Sequence, residues 1–96
     1  MNKKLVEVPG ATLPFQTYEK DGLTIYEFDA RDCEAPEPMI NTIRGLCLLK
    51  SERDRLSGIF FHEPFPLYGR IPITIEHEAV ELESGDFRVT FKLQEI

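Results

Sequence analysis

Asp29-Ala30-Arg31-Asp32-Cys33-Glu34-Ala35-Pro36-Glu37-Pro38-Met39 joins two segments whose hydrophobic patterns have different periods. Upstream, Leu23-Thr24-Ile25-Tyr26-Glu27-Phe28 alternates: Leu23, Ile25 and Glu27 share one face, and Thr24, Tyr26 and Phe28 the other. Downstream, Met39, Ile40, Ile43, Leu46 and Cys47 fall on an arc of roughly 120° at the helical period, which predicts a core-facing stripe. Asn41, Thr42, Arg44 and Gly45 take the opposite side. The chain therefore passes from strand to helix inside this stretch. Pro36 or Pro38 fits the first helical turn, where a missing N–H costs nothing. Gly45 weakens the helix by about 1 kcal/mol relative to Ala; lying off the stripe, it reads as merely tolerated. Cys47, on the stripe, reads as a core residue.

Toward the N-terminus, Gln16-Thr17-Tyr18-Glu19 and the alternating segment flank Lys20-Asp21-Gly22. An Asp-Gly between β-prone runs predicts a hairpin, because Gly accepts the positive φ such a turn requires. The second arm carries bulk on both faces and is expected to be a central strand running to about Ala30. Leu5-Val6-Glu7-Val8, followed by Pro9-Gly10, reads as an edge strand or a loosely held arm. Toward the C-terminus, Lys50-Ser51-Glu52-Arg53-Asp54-Arg55 ends the helix as a charged loop. Leu56 to His62 is the next strand, with Ile59-Phe60-Phe61 suited to burial on both faces. Glu63-Pro64-Phe65-Pro66 stops it, leaving room for about a turn of helix before Pro72. Ile73 to Leu82 then pairs with Phe87 to Leu93 across Glu83-Ser84-Gly85-Asp86. The last strand points Phe87, Val89, Phe91 and Leu93 inward, while its partner changes phase near Ala79, which predicts a bulge.

A strand–helix–strand unit is normally a right-handed parallel crossover. Adding the C-terminal hairpin gives an α/β fold: a two-layer sandwich of order βαβαββ, with a mixed sheet, helices on one face and an extra N-terminal strand. Ninety-six residues suffice for one globular domain. Residues 1–22 form its N-terminal arm and first hairpin strand, and 23–96 its α/β body.

Composition narrows the function classes. A net charge of −6 and a pI near 4.9 argue against a nucleic-acid partner, which would need clustered Lys and Arg. The densest basic cluster, Lys50, Arg53 and Arg55, is broken by Glu52 and Asp54. No apolar run is long enough for a transmembrane helix. Glu7, Pro9 and Gly10 follow Lys3 and Lys4 where a signal peptide would need an apolar core, so a cytoplasmic location and no membrane partner are expected. Two cysteines, Cys33 and Cys47, make no disulfide framework.

The parallel crossover would bring the ends of the two strands, near Ala30 and His62, to one edge of the sheet, where open α/β sheets place ligands. That edge would gather Asp29, Arg31, Cys33, the helix start at Pro36-Glu37-Pro38, His62 and Glu63. A helix N-terminus and an Arg fork favour an anion. Cys33 is either a thiol activated by that terminus and Arg31, or a passive loop cysteine whose neighbours Asp32 and Glu34 oppose ionisation. His62 is a general base or polar contact, or a hydrogen-bonded structural histidine. Cys33, His62, Glu63 and His77 show no metal-ligand spacing. Glu76, Glu78, Glu81 and Glu83 read as a solvated acidic face. No nucleophile motif, P-loop or dinucleotide fingerprint is present, and no cofactor is implied.

Asp29-Ala30 followed by Pro36-Glu37-Pro38 resembles the signature of the TusA/SirA-like sulfur carriers, in which a strand ending in Asp leads to Cys-Pro-x-Pro at the first helix. Ala35 occupies the position of the sulfur-carrying cysteine, and Cys33 lies out of register with it. Asp29-Ala30-Arg31, Pro36-Glu37-Pro38 and His62-Glu63-Pro64-Phe65-Pro66-Leu67-Tyr68 are more similar to a branch of unknown function that lacks this cysteine. The resemblance covers roughly residues 23–93 and implies the βαβαββ fold. Three functions follow as expectations. The first is a non-catalytic binding module taking a protein or a small anionic ligand at Arg31, Cys33, Pro36, Glu37, Pro38, His62 and Glu63. The second is a sulfur-relay or redox protein using Cys33. The third is a small enzyme using His62 and Glu63 as an acid–base pair.

Overall fold

In the computed structural model, which describes residues 2–94, the chain runs β1 (Lys4–Val6), β2 (Phe15–Lys20), β3 (Leu23–Asp29), α1 (Glu37–Leu46), β4 (Asp54–Phe60), α2 (Phe65–Tyr68), β5 (Ile75–Glu81) and β6 (Phe87–Leu93). Asp21 and Gly22 have φ of 53° and 80°. Two successive positive values let a two-residue turn follow the twist of its strands, so Lys20 lies opposite Leu23. The six strands form one mixed sheet in the order β1-β2-β3-β4-β6-β5. The β3–β4 pair, joined through α1, is parallel; every other neighbouring pair is antiparallel.

Strand register sorts the side chains between the two faces of the sheet. Phe15, Tyr26, Phe28, Leu56, Phe60, Val89 and Phe91 turn to the side carrying both helices and make the core with Val8, Leu49 and Leu67. Phe15 stacks on Phe28 with ring centroids 4.9 Å apart, and Phe28 meets Phe60 edge-on at 5.8 Å. The opposite face carries polar cross-strand contacts instead: Lys3 to Glu27 at 2.6 Å, Tyr18 to Glu27 at 3.2 Å and Arg88 to Ser57 at 2.8 Å. The arm before β2 belongs to the core through Val8. The amides of Thr12 and Leu13 donate to Asn41 Oδ1, tying that arm to α1. No described helix is long and apolar enough to cross a membrane.

Several expectations are corrected. Helix α1 presents Asn41, Thr42 and Gly45 to the interior, while Ile40 and Cys47 are exposed. Beneath α1 lie the bulky side chains of Phe15 and Leu56. A Cβ on Gly45 would stand 2.9 Å from both Phe15 Cε2 and Leu56 Cδ1. Large residues on the sheet require small ones on the helix, so the close face is not the hydrophobic one. Gly45 is therefore required for the approach, and Cys47 is not a core residue. Strand β4 starts at Asp54, inside the predicted charged loop, because the buried Asp54 carboxylate accepts the amides of Lys50 and Ser51 at 2.7 and 3.0 Å and closes the turn. It ends at Phe60, leaving Phe61 61% exposed. The β5–β6 register is continuous from Ile75↔Leu93 to Glu81↔Phe87 with no bulge. Ala79 keeps the inward phase, and Val80, 52% exposed, points out.

Candidate binding groove

The parallel pair brings the ends of β3 and β4 together, with the Ala30 amide donating to the Ile59 carbonyl at 2.8 Å. Alternation then sends successive residues to different faces. Ala30 and Phe60, both buried, floor a groove on the helix side. One wall is the 33–36 loop with Pro38 and Met39; the other is Phe61, His62, Glu63, Pro64 and Pro66, closed below by Leu67. The groove holds about 540 Å³.

Short local bonds hold both walls. The Cys33 amide donates to the Ala30 carbonyl and the Glu37 amide to that of Glu34, at 3.3 and 3.0 Å. Across the groove, Leu67 donates to the Pro64 carbonyl at 2.9 Å and the Tyr68 hydroxyl to Glu63 Oε2 at 3.1 Å. The Tyr68 ring lies flat on His77, 3.8 Å between centroids and 13° between planes. Burial, and then the hydrogen bond to the Glu63 carboxylate, push the Tyr68 phenol well above its ordinary range, so it remains a donor.

The predicted site residues separate into three places. Cys33, Pro36, Pro38, His62 and Glu63 line the groove. Arg31 does not: its guanidinium forks onto Asp29, with Nη2 2.6 Å from Oδ2, and reaches Asp86 at 3.6 Å. With Asp32, Phe61 and Asp86 it lines a separate notch. The Arg31 hydrogen bonds also hold the Asp29 carboxyl below the usual aspartate range. Glu37 turns the other way and accepts the Thr12 hydroxyl at 2.7 Å. The β-strand period separates Asp29 and Arg31 from the groove, although they are adjacent to it in sequence.

This arrangement bears on each chemistry considered. An anion at the start of α1 would meet few donors, because Pro38 lacks an N–H and the Glu37 amide is already used. The charged side chains lining the groove are the carboxylates Glu34 and Glu63, beside His62. Burial, then the charges of Glu37, Asp32 and Asp29, push the Cys33 thiol up, away from the thiolate a nucleophile needs. Glu63 is engaged by Tyr68, while the His62 ring packs beside Phe61 at 4.4 Å. Among the described residues no group of three or more His, Cys, Asp or Glu could hold a metal.

Sequence reasoning did not single out Ala30, Glu34, Met39, Phe60, Phe61, Pro64, Pro66 and Leu67 as site residues. The available signal was Phe61 through Pro66, where two phenylalanines and two prolines fall within six residues at the end of a strand. No protein-family model, curated protein or solved structure matches the chain.

Proposed function

We propose that the protein is a non-catalytic binding module whose groove between the start of α1 and residues 61–67 receives an apolar group carried by a protein partner. The observation that carries this reading is the groove's lining: prolines, Met39, Phe60, Phe61 and Leu67, with carboxylates and no Lys or Arg. The scaffold is that of a sulfur carrier without its nucleophile. Support comes from the parallel β3–α1–β4 unit, from Pro36-Glu37-Pro38 at the helix start and from Ala35 in the cysteine's place. Cys33 does not take over that role, since its surroundings disfavour the thiolate. Of the two ligand classes expected at this edge, a protein and a small anion, the protein fits better, because the lining is apolar and Arg31 is committed to Asp29 and Asp86.

The test is a backbone-amide NMR titration with 4-phenylbutylamine, which is apolar with a single cation, against inorganic phosphate. The amine is expected to shift residues 33–39 and 61–67 saturably, and Ala35→Trp, which fills the groove from an exposed loop position, to abolish those shifts. Phosphate is expected to leave them unmoved. Phosphate shifts at the start of α1 would replace this reading with an anion site, and no response to the amine would end it.

A further inference from the structure

The apolar surface does not stop at the groove. Pro36, on its wall, is followed along the outer side of α1 by Ile40, Ile43 and Cys47 at spacings of four, three and four residues. That is one continuous ridge of a helix. Ile40 is 37% exposed and Cys47 is exposed, while Ile43 between them is half-buried and also packs against the core. On the far wall Phe61 and Phe65 are 61% and 67% exposed. Of the six large hydrophobic side chains left exposed among the described residues, Ile40, Phe61 and Phe65 lie on the segments that wall this groove, Ile40 being the least exposed of the six. Exposed apolar side chains flanking an apolar groove are the kind of surface that meets another macromolecule.

Charge decides which macromolecule. Glu34 and Glu63 line the groove beside His62, with no Lys or Arg among the lining residues. A second copy would bring the same carboxylates and another net charge of −6 to the interface, and a two-fold contact would set like charges together. A basic amphipathic helix has the complementary character. Its apolar stripe packs along a straight ridge at i, i+4, i+7 and i+11, and its Lys or Arg side chains meet the carboxylates at the groove. We propose that the ridge of α1 and the adjoining groove form one docking surface for a basic amphipathic helix of a partner protein. This rests on the groove reading above and adds the partner's shape and charge.

The experiment titrates the labelled full chain with an amidated leucine–lysine peptide of about four helical turns, with the same peptide carrying Glu for Lys, and with one carrying Ser for Leu. The leucine–lysine peptide is expected to shift residues 36–47 and 61–67 together, saturably. The other two are expected to bind at least about tenfold more weakly. Glu34→Gln combined with Glu63→Gln, which keeps an acceptor for Tyr68, is expected to weaken binding about fivefold. Ile40→Asp is expected to weaken it about tenfold or more, with the amide spectrum otherwise retained.

Equal binding of the Glu peptide would overturn the charge assignment, and shifts confined to Glu76, Glu78 and Glu81 would show attraction to acidic surface alone. A concentration-dependent dimer that Ile40→Asp dissociates would assign the surface to a second copy. If phenylbutylamine fills the groove but the leucine–lysine peptide leaves the α1 ridge unshifted, the docking surface is wrong and the groove reading stands. If neither binds, both are wrong.

Discussion

The two faces of α1 have exchanged the roles their residues suggest. The face against the sheet buries Asn41, Thr42 and Gly45. The apolar arc from Met39 to Cys47 lies at the flank and outside, with Met39, Ile43 and Leu46 touching the core and Ile40 and Cys47 in solvent. On the inner face, stability comes from close approach and from satisfied hydrogen bonds. On the outer face, apolar area remains uncovered and is available to a partner. Hydrophobicity alone does not say which side of a helix meets its sheet; the volume already occupied by Phe15 and Leu56 does.

The contrast would break most visibly at Asn41. Its side chain accepts the amides of Thr12 and Leu13 at 2.9 and 3.1 Å and donates to Thr12 Oγ1 and the Glu37 carbonyl, both at 2.9 Å. Asn41→Ala strands these groups in a site closed to water, and is expected to lower the unfolding free energy by about 3 kcal/mol, read as a shifted urea midpoint at unchanged slope. A loss below about 1 kcal/mol would mean that the inner face is held by packing alone and that the arm is dispensable to it.

Gly45→Ala tests the same face through the sign of its effect. A solvent-facing glycine would gain about 1 kcal/mol on becoming Ala. Against Phe15 and Leu56 at 2.9 Å, the added methyl overpacks the core, and a net loss of about 2 kcal/mol is expected. Thr42→Val is milder. It removes the hydroxyl that donates to the Pro38 carbonyl at 2.9 Å but keeps the volume, so about 1 kcal/mol is expected. Thermal melts of the two variants, side by side, should rank them in that order; a stabilised Gly45→Ala would place the helix further from the sheet.

How much of this was legible in the sequence depends on what kind of interaction fixes each part. The Asp21-Gly22 turn, the parallel pair joined by a helix and the inward run Val89, Phe91 follow from local dihedral needs and from period two, and the structure has them. The sense of α1 was hidden, because it depends on which long-range neighbours fill the space beneath it. The phase of β5 misled because Val80 is apolar yet exposed, whereas His77 lies on the inner side against Tyr68, in phase with Ile75. At the site, topology alone predicted that Cys33, Pro36, Pro38, His62 and Glu63 would meet at one edge. It could not separate Arg31 from them, because that depends on where β3 stops alternating and on the nearby Asp29 and Asp86.

The smallest effect on stability, and the one that most sharpens the contrast, belongs to Ile40. Its position on the arc marks it as core, and truncation of a core isoleucine costs about 2 kcal/mol or more. At 37% exposure it has only part of that to lose, and helix propensity changes only slightly on going to serine. Ile40→Ser is therefore expected to cost under about 1 kcal/mol in urea unfolding, while binding of the leucine–lysine peptide weakens severalfold. A loss near the core value would show that Ile40 is covered within the chain, and the outer face would then be part of the fold's own interior. A small loss of stability together with weakened binding separates the two faces of one helix by what each does: one holds the sheet, and the other presents a surface to a partner.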